Sequence, residues 1–407
     1  MKKTCYRLMP VLLLAAVFTA ALLLKRYTYY QAEFFNLFLN TPDYLQEVLG
    51  GPHPYRTLVR EFTLQFFRLP GAGPVIVALL VTLGFLLARL LYRLVARRRL
   101  SCGASAVLAA LVLAGFVTAA LLPESRQRER WAKVERASLK HQWDKVIAAA
   151  TPKACEKDRT LIPYALLAHS QRGTLPQALI EYPVSGPQDL DMEGELTRHG
   201  YYFSSLLYED MGCTNEAIHH TFQTACTTPH GASFGTLRQL IKLNIAAGNK
   251  PMARKYCDIL ATSPVNAGTA RAARRIIDAM PAESYLDHGA SDTAAIVSHN
   301  AFQNLRLMAT HGYFNDAAVD RTRCLLLLQR DLNNFAGSFP PDQDLSALPL
   351  VYQQAFCLVA DPRIQERLSP AIKAEADQFM AFYNRVRMKD EVLGLPRSYW
   401  AYYFLGY

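Results

Sequence analysis

The chain has 407 residues, 51% of them hydrophobic, eight cysteines and a formal net charge of +10, enough for two or three domains. That charge does not read as a nucleic-acid surface. Residues 1–123 carry 13 Lys/Arg against 4 Asp/Glu and residues 124–407 carry 31 against 30, whereas a domain built to neutralise phosphates keeps the basic excess for itself.

The first apolar run, 8–24, follows Lys2, Lys3 and Arg7 and passes directly into Lys25 and Arg26. With no small-residue cleavage site after it, it reads as an uncleaved span and not as a removed signal. Six aromatic residues between Tyr27 and Phe38 suit the membrane interface, where a ring stays apolar while its edge is wet. Thr41 is predicted to cap a short helix that has Pro42 in its first turn and ends at Gly50 and Gly51. Residues 54–69 form an amphipathic helix: Tyr55, Leu58, Val59, Phe62 and Phe66 share one face, opposite Arg56 and Arg60. Such a helix lies on the bilayer or packs over the spans.

The second span covers 74–92, and Arg89 near its end is expected to reach the headgroups by extending its stem. The loop of Arg93, Arg97, Arg98 and Arg99 that follows has no acidic neighbour and belongs in the cytoplasm. A third span, 103–122, then leaves the N-terminus cytoplasmic and the remainder of the chain outside. Arg126, Arg128, Arg130 and Lys133 run against that orientation, but Glu124, Glu129 and Glu135 are interleaved with them, and long domains translocate largely regardless of charge.

Three series around these spans, GGPHPY at 50–55, FTLQFF at 62–67 and LPGAG at 69–73, together with SYWAYYF at 398–404, carry a resemblance. The chain resembles a family of uncharacterised bacterial integral-membrane proteins with an N-terminal multi-span region and a tetratricopeptide-like helical C-terminal region. The resemblance implies that architecture, often with more spans than three, and implies no reaction. With it the expected location is the bacterial inner membrane, the C-terminal domain facing the periplasm.

Beyond residue 123 a glycine is followed five residues later by an alanine four times: Gly173/Ala178, Gly212/Ala217, Gly248/Ala253 and Gly312/Ala317. Glycine in the left-handed conformation ends one helix, and alanine lets the next approach closely. Around Gly212, Tyr201, Ser205, Tyr208 and Pro229 sit at offsets similar to those of the 34-residue tetratricopeptide repeat. His141/Val146 keeps the five-residue offset in an opening half-unit, and Ala267 to Met280 supplies a degenerate one. The fold class is therefore all-α: N-terminal transmembrane helices in 1–123, an irregular tetratricopeptide-like α-solenoid over 124–339, and C-terminal helices with an aromatic tail over 340–407. Tyr399, Trp400, Tyr402, Tyr403 and Phe404 either cap the array or form a sticky tail.

No catalytic constellation stands out. His219 and His220 are adjacent and so point to different helix faces, unlike the i, i+4 pair of a zinc protease. The cysteines, at 5, 102, 155, 213, 226, 257, 324 and 357, stand singly with no CxxC. They read as small semi-apolar helix residues, although a pair can form in an oxidising compartment. The acidic run Asp189, Asp191, Glu193, Glu195 lacks the central glycine and spaced glutamate of a calcium loop. No GxSxG, phosphate loop or GxGxxG occurs. No catalytic residue, metal ligand or cofactor is assigned. The reading is a membrane-anchored helical-repeat scaffold that binds a protein or peptide, with Tyr201, Tyr208 and His219 as candidate partner-binding residues on the inner helices. The partners are that protein and membrane lipid, with no nucleic acid. The alternative is an accessory subunit of a membrane assembly in envelope biogenesis or transport, contacting its partners through spans whose small residues Ala106, Ala110, Ala114 and Ala119 permit close packing. A third class, an envelope-acting hydrolase or transferase, would need a deep polar pocket with convergent carboxylates and histidines.

Overall fold

The computed structural model describes residues 2–191, 197–281, 303, 306, 307, 315–387 and 397–405. All regular structure among these residues is helical, with no strand. The chain forms two compact units from interleaved segments. The first holds Met1–Arg136, Ala225–Lys242 and Pro251–Ala279, the second Ala137–Thr224, Leu243–Lys250 and Met280–Tyr407.

The first unit opens with α1 (Lys2–Leu24), α2 (Arg26–Phe34), α3 (Pro42–Leu49), α4 (Pro54–Leu64), α5 (Ala72–Ala96), α6 (Cys102–Leu121) and most of α7 (Pro123–Ser138). Three of these helices are long and apolar enough to cross a membrane: α1 over Tyr6–Leu24, α5 and α6. Leu13 and Val17 of α1, Ala78 and Phe85 of α5 and Ala109 of α6 form one buried cluster. Lipid supplies no hydrophobic drive between helices, so close approach over small residues such as Ala78 and Ala109 is what holds such a bundle. Arg89 departs from the sequence expectation. Its guanidinium does not extend outward but lies 3.6 Å from the centre of the Tyr6 ring, and the residue is buried. A cation on an aromatic face is partly compensated for lost water.

The segment between α1 and α5 folds as its local signals direct. Thr41 accepts from the Tyr44 amide at the start of α3, with Pro42 behind it. Tyr27 and Thr28 amides at the start of α2 donate to Glu129 of α7, each at 2.8 Å, which satisfies two N–H groups that a helix leaves open. The LPGAG series has a steric reason. Gly71 adopts φ +80° ahead of α5, and a Cβ on Gly73 would come within 3.0 Å of Tyr29 and 3.3 Å of Phe67.

After α8 (Trp143–Ala149), α9 (Pro152–Lys157), α10 (Ile162–Gln171), α11 (Leu175–Glu181), α12 (Gln188–Asp191) and α13 (Arg198–Asp210), the rest of this unit takes parts of α14 (Thr214–Cys226) and α15 (Phe234–Ala246), most of α16 (Lys250–Ala261), and α17 (Ala267–Ala279). The Phe234 amide donates to the Asn36 carbonyl (2.9 Å) and the Asn40 amide to Thr262 (3.1 Å). Arg68 donates to the Asn266 side chain (2.9 Å). A Cβ at Gly235 would fall 2.2 Å from the Phe34 ring, so only glycine fits there.

One link is used five times among the described residues, four times within the second unit and once, at Gly248, between two helices that belong mostly to the first. A left-handed residue stands at His141, Gly173, Gly212, Gly248 and Arg330, with φ of 50°, 67°, 78°, 71° and 59°. Its amide bonds the carbonyl three residues back, and the next amide bonds the carbonyl five residues behind itself. At Gly212 the pair is Gly212 to Glu209 (2.9 Å) and Cys213 to Tyr208 (2.8 Å); at Arg330 it is Arg330 to Leu327 (3.0 Å) and Asp331 to Leu326 (2.9 Å). This double bond satisfies the last carbonyls of the outgoing helix. The next helix begins two residues after the left-handed one, at Trp143, Leu175, Thr214, Lys250 and Leu332. The residue five positions on is wholly buried each time: Val146, Ala178, Ala217, Ala253 and Phe335 are all 0% exposed. The His141 half-unit thus carries the link without the glycine, the Arg330 link is one that glycine spacing does not reveal, and Gly312 lies outside the described residues.

The aromatic end of the chain is packed. Tyr399, Trp400 and Tyr402 are buried; Tyr399 donates its hydroxyl to Leu327 O (2.8 Å), Tyr402 to Leu328 O (2.7 Å), and Trp400 its indole N–H to Gln354 O (2.8 Å). Leu327 and Leu328 close the helix Asp316–Leu328, where carbonyls need outside donors.

Candidate functional site

The three residues singled out from the repeat register lie on one hairpin, α13 (Arg198–Asp210) and α14. Within it the Thr221 hydroxyl donates to Ala217 O (2.7 Å) and the Ser205 hydroxyl donates to Thr221 (2.6 Å), both buried. Tyr201 and Tyr208 do not gather around His219. Tyr208 stacks on His220 at 5.0 Å and 3°, Tyr201 lies 6.5 Å from the same ring at 30°, and His219 meets it edge-on at 5.3 Å. The two tyrosines are half-buried and His219 is exposed.

Burial, with His219 adding to it, pushes the His220 pKa down to about 4. The ring that the tyrosines hold is therefore neutral around pH 7, an apolar brace and not a cation. On the outer face of α14, Asn215, His219 and Phe222 fall at i, i+4 and i+7 and are all exposed, one continuous stripe. The inward role of His220 was legible: it sits three residues after Ala217, on the side that the five-residue offset already marks as buried.

Other polar clusters of this unit fix the chain to itself. Asp189, from the acidic run, accepts from Arg159 (2.8 Å) and from the Ser185 amide (2.6 Å). His169 bridges Thr174 (2.8 Å) and Tyr182 (3.2 Å). Burial pushes the Cys324 thiol up to about 12, which removes it as a nucleophile. Among the described residues, no group of three or more His, Cys, Asp or Glu side chains is placed to hold a metal ion.

The strongest electrostatic cluster lies in the first unit. Glu61 of α4 is 2% exposed. It accepts from the Tyr44 hydroxyl at 2.5 Å, from His230 Nε2 at 3.1 Å and from Arg60 at 3.1 Å. The other imidazole nitrogen, Nδ1, meets Glu47 at 2.9 Å. The hydrogen bond to Glu61 leads in raising the His230 pKa to about 9, against burial and with help from Glu47. Burial works to raise the Glu61 pKa, but hydrogen bonds from His230 and Tyr44 bring it below its ordinary value. Burial, and then Glu61, raise the Tyr44 hydroxyl far above its usual range. Every proton here is held where it is: an imidazolium between two carboxylates, and a phenol that does not ionise. The arrangement locks α3, α4 and the 228–233 loop together. Sequence reading did not find it, because His230 stands 169 residues from Glu61 and no local pattern marks either as the other's partner.

The model of a family of unknown function, DUF6057, matches residues 2–123 and 116–406. Those two stretches take in nearly the whole chain, and the protein belongs to that family. No curated protein and no solved structure matches it.

Proposed function

We propose that this DUF6057 protein is a membrane-anchored helical scaffold. Helices α1, α5 and α6 hold it in the bilayer, and the hairpins beyond residue 124 form an irregular tetratricopeptide-like array that binds a protein or peptide. The observation that carries the reading is the reuse of one link, in which a left-handed residue is followed five positions later by a wholly buried one. Repetition of one hairpin is how solenoids build extended binding surfaces. The partner face is the outer stripe of α14, with His219 and Phe222 as contacts and Tyr201 and Tyr208 stiffening the hairpin behind it through His220. Phe222, 48% exposed, is the kind of aromatic anchor that such surfaces use.

A photo-crosslinker placed at His219 or Phe222 in intact membranes captures one protein reproducibly, while the same group at exposed Lys145 does not. Equal capture at all three positions overturns the assignment of the face. The array faces away from the cytoplasm, since the Arg93–Arg99 loop belongs inside. Protease added to spheroplasts then digests the C-terminal half, and a protected C-terminal half overturns that placement.

The second reading is an accessory subunit that contacts a membrane assembly through its spans. It is favoured by the exposure of Ala110, Ala114 and Ala119 along α6, small residues that admit a neighbouring helix. Co-purification unchanged by Ala110→Leu and Ala114→Leu counts against it.

A further inference from the structure

An apolar groove of about 1100 Å³ runs between α1, α4 and α5. Its lining includes Val11 and Leu14 of α1, Leu79, Leu80, Leu83 and Leu86 of α5, and Arg56 and Arg60 of α4. The two arginines are four residues apart, so they share one helix face. Both are exposed. Arg60 reaches Glu61, a carboxylate already engaged by Tyr44 and His230, and Arg56 pairs with no acidic side chain among the described residues. The charged part of the groove is thus cationic, and apart from the hydroxyls of Tyr55, Thr63 and Thr82 the remainder is hydrocarbon.

The dimensions single out an occupant. From Ile76 to Leu86 the lining of α5 runs over ten residue steps, about 15 Å of helix at 1.5 Å per residue, roughly half of a 30 Å hydrocarbon core. This is the reach of one acyl chain in one leaflet. A guanidinium fork matches a phosphate with two parallel hydrogen bonds, and two forks on one face match an anionic headgroup better than a zwitterionic one.

We propose that this groove is a binding site for a single anionic phospholipid, its phosphate on Arg56 and Arg60 and one acyl chain laid between α1 and α5. The proposal rests on the reading that α1 and α5 span a bilayer, and it adds a specific site to what that reading makes a general lipid contact.

The test uses the full chain in detergent, titrated with phosphatidylglycerol or with phosphatidylcholine of the same acyl chains and followed by native mass spectrometry. One phosphatidylglycerol binds per chain with about tenfold preference. Arg56→Gln, which breaks no ion pair among the described residues, lowers that preference severalfold; Arg56→Lys recovers part of it; Leu83→Trp, filling the groove, weakens both lipids. Equal binding of the two lipids, or no change in Arg56→Gln with its melting temperature intact, overturns the proposal. So does inorganic phosphate competing as well as the lipid, which would mean an anion site without a chain. Fractionation separates this result from the underlying reading. Wild type and Arg56→Gln both remain in carbonate-washed membranes if the spans are real, whereas loss of both from that fraction sinks the spanning reading itself.

Discussion

The two units hold their helices together by different means. In the second, hairpins close within a few residues: the paired bonds at Gly173, Gly212 and Arg330 never reach beyond the link itself, and ties as long as Arg397 to Glu156, 241 residues apart, are added to them. In the first, such links are rarer among the described residues and the polar ties that join distant chain positions carry more: Glu61 to His230 spans 169 residues and Arg68 to Asn266 spans 198. Closing a long loop costs more chain entropy than closing a short one, though the cost grows slowly with length. A few side chains must therefore secure what the second unit secures many times over. The first unit should depend steeply on single residues, and the second should degrade in small, separate steps.

The largest effect is expected at Glu61. Glu61→Leu leaves the His230 cation with only the exposed Glu47 and the Tyr44 hydroxyl with only Leu37 O at 3.0 Å, and removing one partner of a buried pair costs about 3–5 kcal/mol. Pairing it with His230→Leu recovers much of the loss, since an apolar pair carries no stranded charge. Arg172→Ala in the second unit, which breaks an exposed pair with Asp144, changes stability by under about 1 kcal/mol. Thermal melting in detergent measures all three, and a Glu61→Leu melt close to that of Arg172→Ala would erase the contrast between the units.

Next in size is the contact of α15 with the end of α2. Gly235→Leu forces a side chain into the Phe34 ring, and overpacking of this kind costs about 1–3 kcal/mol. With Phe34→Ala in the background, the same substitution loses less than the sum of the two single changes, because they share one space. Full additivity would mean that the two residues do not touch in the folded protein.

The contrast also explains what the sequence made legible. The three apolar spans, the Thr41 cap, the amphipathic helix and the glycine links are all written within about twenty residues of chain, as composition, period or turn chemistry. The offset of five reaches Ala217 after a glycine and Val146 after a histidine, and both are wholly buried. Arg330 was missed because the link needs a left-handed backbone, which glycine adopts freely and an arginine adopts only when both capping bonds hold it there. Arg89 was misjudged because its cover, Tyr6, comes from another helix. Glu61, Tyr44 and His230 left no trace, because their spacing follows from tertiary folding alone. Of the candidate site, the hairpin and its exposed histidine were readable, and the ring that Tyr201 and Tyr208 grip was readable only in part.

The pH dependence of stability separates two histidines, one in each unit, by sign. The His230 pKa is raised from 6.5 to about 9, so its pairing contributes fully below 6.5 and is lost as pH rises through 9. Glu33, also in the first unit, is raised by burial from 4.5 to about 8, with Arg68, Arg136 and Arg238 opposing. The folded state holds that proton longer than the unfolded chain does, so stability falls again between pH 4.5 and 8. The His220 pKa of the second unit is lowered from 6.5 to about 4, and its penalty appears as pH falls across that interval. His230→Gln should flatten the alkaline limb of a melting-temperature profile and His220→Phe the acid limb. An exchange of those two effects would contradict the electrostatic assignment of both units.

The smallest effects test whether the hairpin links are separate. Gly173→Ala, Gly212→Ala and Gly248→Ala each place a Cβ on a left-handed residue, at a cost of about 1 kcal/mol. These links do not share hydrogen-bonding partners, so the three losses should add within about 0.5 kcal/mol in the triple variant. Arg330→Gly relieves the same strain in reverse but gives up the bond from Arg330 to Tyr402 O at 3.3 Å, and the two changes nearly cancel. A triple variant far less stable than the sum would show that the hairpins fold as one cooperative body. In that case the dependence on single residues that marks the first unit would extend to the second, and repetition of the link would record a shared geometry without independent stability.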